Sequence, residues 1–147
     1  VRPVVSCKGT TCQFGQYDTF ALSEKIHERF YVGYHDVKLP HKFKIAVGGC
    51  RNNCVKPDLN DVGIIGMRTK NEEGVACPGY KICIGGRWGK NVAQGQPLSK
   101  IFISEEEVLD IIEKIILFYK ENGQEKERFA DTIARIGFEE VEKQLLS

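Results

Sequence analysis

Between residues 108 and 119 the apolar positions Val108, Ile111, Ile112, Ile115, Ile116 and Tyr119 recur at intervals of three and four. That spacing puts them on one face of a helix. Ser104 followed by Glu107 has the form of a capping box at its start, where each side chain satisfies an orphan backbone donor. Asn122-Gly123 stops it. A second helix carries Phe129, Ile133 and Ile136 and ends at Gly137; a third, short one holds Val141 and Leu145. Upstream, Tyr17, Leu22, Ile26 and Phe30 predict a helix over about 16–30. Residues 2–6 are β-prone. Phe43, Ile45 and Val47 alternate with Lys44, Ala46 and Gly48, which predicts a half-buried strand running into Gly49-Cys50. Residues 61–67 and 79–84 read as two further strands joined by a polar turn at 71–74. The pattern predicts an α+β fold, a small mixed or antiparallel sheet with packed helices and a helical C-terminal tail. Residues 1–100 form the α+β part, and 101–147 its helical extension within the same domain.

Composition changes little of this. The 147 residues suffice for one domain with a real core. A formal net charge of +1 gives no electrostatic footprint for nucleic acid, and no apolar run reaches the length of a membrane span. The chain starts at Val1, which reads as a fragment or a processed product, so a missing signal peptide says little about compartment.

Six cysteines do change it. In a small secreted domain they would read as disulfides, but the patterned helices and strands supply a core without staples. Four of the six lie in two tight pairs beside glycine-rich turns, Cys7 with Cys12 and Cys50 with Cys54. Metal centres take their thiolates from such turns, whose amides also donate to the sulfurs. The helix after Cys12 would turn its positive N-terminal end toward an anionic centre. Spacing alone leaves an iron–sulfur cluster and structural zinc about equally open, with buried free thiols as a third reading. The pair Cys77 and Cys83 is a decoy: Cys83 reads as a small buried hydrophobe in a strand, Cys77 as a free thiol before Pro78. Metal-ligand cysteines of this kind place the chain in the cytoplasm. His27, His35 and His41 show no ligand spacing and are expected to be exposed.

The run V-G-G-C-R-N-N-C, then D-V-G-I-I-G, then G-Y-K-I-C-I-G-G resembles the cluster-binding half of the sirohaem sulfite and nitrite reductases. The segment S-C-K-G-T-T-C-Q-F-G-Q-Y-D-T and the closing E-R-F-A-D-T-I-A-R-I-G are similar to the same family, so the resemblance covers nearly the whole chain. It implies a 4Fe–4S cluster on Cys7, Cys12, Cys50 and Cys54, with Cys54 bridging cluster iron to sirohaem iron. It also implies electron flow from a ferredoxin-like or nicotinamide-dependent donor through the cluster to the haem, for six-electron reduction of sulfite or nitrite. Arg51 and Asn52 would stand beside the cofactors.

The first pair is spaced C-x4-C where the family commonly has C-x5-C, and Arg51 replaces a usual proline. The family is built from two related halves, and the N-terminal half, which supplies most of the haem and anion pocket, is not in this chain. The isolated chain is therefore expected to be inactive. Arg51, Arg87 and Lys90 could approach cofactor carboxylates, although surface cations are more often merely solvated. A cluster-only electron-transfer module and a structural zinc domain are the alternative readings. Sequence leaves open sulfite against nitrite, the donor, and whether the protein is a homo-oligomer.

Overall fold

The computed structural model describes residues 4–8, 11–13, 15, 17–32, 39, 43–50, 56–70, 73–87, 93–124 and 126–146. Its centre is a five-stranded sheet in sequence order: β1 (Val5–Ser6), β2 (Ile45–Gly48), β3 (Val62–Lys70), β4 (Ala76–Ile84) and β5 (Gln96–Pro97). The first three strands are parallel, and β3, β4 and β5 are antiparallel. The sheet is thus mixed, and β5 had no counterpart in the sequence pattern.

Parallel neighbours need a crossover between them. Helix α1 (Thr19–Ile26) lies in the crossover from β1 to β2 and continues as a π-helical turn, His27–Val32. The helix expected from 16 to 30 therefore starts later, at an N-cap where the Asp18 carboxylate accepts from the Ala21 N–H at 3.0 Å. Strand β2 is buried along its whole length rather than half-buried. It lies between two parallel neighbours and is covered on both faces, which is the usual state of a parallel strand.

The C-terminal helices follow their periodicity closely: α2 (Glu105–Asn122), α3 (Phe129–Ile136) and α4 (Phe138–Leu146). Ser104 caps α2 through the Glu106 N–H at 3.2 Å. Phe43, Tyr119 and Phe129 meet with ring centroids 5.3 to 5.7 Å apart, so the lead into β2, α2 and α3 share one core. The Arg128 guanidinium forms a buried ion pair, donating to the Asp61 carboxylate at 3.3 Å. The same carboxylate oxygen accepts the Lys44 N–H at 2.8 Å, tying β2, β3 and α3 together. Among the described residues, no helix is long and apolar enough to cross a membrane.

The glycines of D-V-G-I-I-G allow close approach rather than flexibility. A Cβ on Gly63 would stand 2.0 Å from the Pro57 carbonyl oxygen, and one on Gly66 would stand 2.3 Å from that of Gly49. Both obstacles are backbone, so neither can swing aside. Gly63→Ala is expected to cost about 3 kcal/mol, the upper range for overpacking. That would lower Tm by roughly 10 °C, read by calorimetry; an unchanged Tm would show that the Pro57 turn yields freely.

Candidate metal centre at the C-terminal ends of the parallel strands

Cys7 directly follows β1, and Cys50 lies two residues beyond the end of β2. Because those strands are parallel and paired in register, Val5 with Ala46 and Ser6 with Val47, both cysteines emerge at the same end of the sheet. Parallel pairing thus joins two motifs that are far apart in sequence.

The ladder continues one step past β1. The Cys7 N–H donates to the Val47 carbonyl at 3.0 Å. In a regular parallel ladder, the Gly49 N–H would next donate to the Cys7 carbonyl. Here that carbonyl already accepts from the Thr19 hydroxyl at 2.8 Å and the Ser6 hydroxyl at 3.1 Å. The Gly49 N–H instead donates to Cys7 Sγ at 3.0 Å. A strand-terminal amide is thereby redirected from oxygen to sulfur, the kind of outer hydrogen bond that orients and tunes a thiolate ligand.

Thr19 is the first residue of α1, so the same hydroxyl bond seats the helix N-terminus beside Cys7. The field there favours negative charge. Between the two, the loop carrying Cys12 is closed by tight turns: the Thr11 N–H donates to Lys8 O, and the Gly15 N–H to Cys12 O, each at 3.0 Å. Tyr17 completes the floor. Its hydroxyl donates to the Gly48 carbonyl at 2.7 Å, and its ring meets Tyr80 edge-on at 4.8 Å. Burial, and then the nearby Cys7 sulfur, push the Tyr17 pKa well above its ordinary value, so the hydroxyl stays a donor at neutral pH.

Cys7, Cys12 and Cys50 are free thiols, all partly exposed. Their chemistry and setting fit a cluster: soft donors on loops, an amide aimed at sulfur and a helix N-terminus alongside. Among the described residues, no three His, Cys, Asp or Glu groups yet gather as a metal-binding set. Cys54, Arg51 and Asn52 lie outside the described residues, as do Lys90, His35 and His41. Arg87 is engaged elsewhere, donating to Asp131 of α3 at 2.7 Å. His27 is partly buried rather than exposed.

Cys77 is partly exposed and Cys83 is buried. Six positions apart on one extended strand, they stand roughly 20 Å from each other, so no disulfide can join them. The residues that periodicity did not mark as part of the site are Ser6, Thr19 and the Gly49 amide. Tyr17 entered the sequence reading only as an apolar helix position. A cysteine followed twelve residues on by the threonine that opens a helix carries no signal until β1 has been placed.

The family described as the nitrite and sulphite reductase 4Fe-4S domain matches residues 1–147. The chain is 30% identical over 146 residues to the NAD(P)H nitrite reductase of Bacillus subtilis, spanning 99% of this chain and 16% of that protein. It is 30% identical over 147 residues to an assimilatory-type sulfite reductase of Nitratidesulfovibrio vulgaris, covering 99% of this chain and 61% of the relative. The chain thus spans less than two thirds of these relatives. Among solved structures, a dissimilatory sulfite reductase I superposes with a TM-score of 0.82 at 20% identity, over 99% of this chain and 52% of that one. The NirA protein of Mycobacterium tuberculosis gives 0.77 at 21%, over 98% of this chain and 26% of that one. At such identities these two establish the fold alone.

Proposed function

Because the chain belongs to the family of the nitrite and sulphite reductase 4Fe-4S domain, we propose that it is the cluster-holding part of a sirohaem-dependent sulfite or nitrite reductase. Cys7, Cys12, Cys50 and Cys54 would hold the cluster, with Cys54 next to the sirohaem and Arg51 and Asn52 flanking it. The observation that carries this reading is the Gly49 N–H aimed at Cys7 Sγ at the point where two parallel strands deliver Cys7 and Cys50. When bound, the paired groups would supply the single-electron chemistry that reduction of the anion needs.

The part of this chain is to hold and insulate. Thr19 and Ser6 occupy the Cys7 carbonyl and leave the next amide for the sulfur. The N-terminus of α1 favours the negative charge of the site. Gly66 lets β3 press against Gly49 and the Tyr17 ring. Residues 1–100 serve as the cluster-binding part, and 101–147 brace it through the Phe43–Tyr119–Phe129 contact. The relatives differ in anion and, by their names, in reductant, so this reading stops at nitrite or sulfite with a separate electron source. Among the described residues, five cysteines stand outside any disulfide, which suits a reducing compartment such as the cytoplasm.

The test is anaerobic iron, sulfide and zinc analysis with EPR on one sample. About four irons and four sulfides per chain, with a haem band added when sirohaem is supplied with the full-length protein, would support the proposal. Cluster without any haem uptake would indicate an electron-transfer module. Zinc near one per chain without sulfide would end the redox reading.

A further inference from the structure

The Gly48–Gly49 peptide is held from both sides. Its carbonyl accepts the Tyr17 hydroxyl at 2.7 Å, and its N–H donates to Cys7 Sγ at 3.0 Å. In a trans peptide these two groups point in opposite directions, and the chain has no cis bonds among the described residues. Tyr17 and the Cys7 sulfur therefore face each other across one rigid amide. We propose that Tyr17 is a positioning residue for the metal centre, which orients and polarises the Gly48–Gly49 amide so that its N–H binds the Cys7 sulfur more strongly.

The chemistry is that of a hydrogen-bond chain. A donor on a carbonyl oxygen draws electron density through the amide, making its N–H a better donor to whatever accepts it. Donors to a cluster sulfur favour the more negative, reduced state and raise the potential. The surroundings are built for this rather than for packing alone. Gly66 lacks a Cβ where one would lie 2.3 Å from Gly49 O and 2.8 Å from the Tyr17 ring. Tyr80 supports that ring edge-on. Thr19 and Ser6 take the competing acceptor, the Cys7 carbonyl. With Tyr17 in place, the amide has one orientation and one acceptor.

The inference rests on the proposed function for its redox part, and its structural part can be tested without any metal. Tyr17→Phe keeps the ring against Tyr80 and removes only the hydroxyl. In the metal-free 147-residue chain, the Gly49 amide is expected to exchange with solvent about tenfold faster. The Val62 and Gly85 amides, bonded to Lys44 O and Asp61 O at the far end of the sheet, should keep their rates. In the cluster-loaded chain, the same variant is expected to lower the midpoint potential by ~60 mV, a tenfold change for one electron. Unchanged Gly49 exchange, or equal acceleration at all three amides, would overturn the inference. A faster Gly49 amide with an unmoved potential would overturn it as well. If the unsubstituted chain takes up no cluster, the proposed function fails, while the exchange measurement still decides whether Tyr17 holds the amide.

Discussion

Replacing Cys7 with alanine is expected to abolish stable cluster binding, cutting iron and sulfide per chain by roughly 100-fold at limiting iron. The size follows from comparison: loss of an outer partner of a metal ligand already costs about 10- to 100-fold in affinity, and Cys7 would be a ligand itself. The substitution also deletes the acceptor for the Gly49 N–H, so the amide next to Cys50 loses its anchor. Two effects then fall on one site. Cys77→Ser is the matched control. Cys77 pairs with Thr69, whereas Gly66, opposite Tyr80, lies on the other face of the ribbon and packs on Gly49. That variant should retain full iron. If Cys7→Ala kept its iron and Cys77→Ser lost it, the assignment of the first cysteine pair would be wrong. Thermal unfolding of both metal-free variants separates ligand loss from misfolding.

Arg128→Met is expected to destabilise the chain by roughly 3–5 kcal/mol near neutral pH, the cost of leaving one member of a buried ion pair without its partner. Asp61 is fully buried and Arg128 is 5% exposed. Among the described residues, Asp61 Oδ1 and Arg128 Nε have no partner of their own, so the pair is held by few bonds and each counts. Burial is the largest influence on Asp61, raising its pKa to about 6 from 3.8 against the pull of the Lys44 amide and Arg128. The sign follows. Between these values the folded chain binds the proton that the unfolded chain releases, so this group's contribution to stability is largest below pH 3.8 and is lost as pH rises through about 6. Without Arg128 the carboxyl pKa must climb further, so the variant's deficit should be smallest in acid and grow toward neutrality. Urea unfolding at pH 5 and pH 7.5 measures this. Asp61→Asn in the Arg128→Met background removes the stranded charge and should recover most of the loss. An equal deficit at both pH values would mean that the guanidinium acts by packing alone.

Periodicity located α2, α3 and α4 closely because each buries an apolar face, and α2 and α3 stop at Gly123 and Gly137, of which only Gly137 takes a positive φ (102°). It was less successful with α1, where the apolar Tyr17 belongs to the lead-in and the Asp18 cap sets the start. It also took β2 for half-buried. Ala46 and Gly48 look like the small, outward side of the alternation, but both are buried because a parallel strand is covered on both faces. The short pairing at β5 leaves almost no pattern, since two residues cannot show a period.

The sequence by itself determined the longer elements, the α+β class, the two cysteine pairs and the family that their motifs resemble, because each is written in local spacing and residue type. Only the tertiary structure decided how the pairs are used. Parallel pairing of β1 with β2 carries Cys7 to the amide before Cys50, and hydroxyls from Ser6 and Thr19 free that amide for sulfur. Tyr17 became part of the site in the same way, through a bond to Gly48 across 31 residues. Hydrogen bonds between distant segments have no period and no spacing, so they exist for the reader only once the chain has folded.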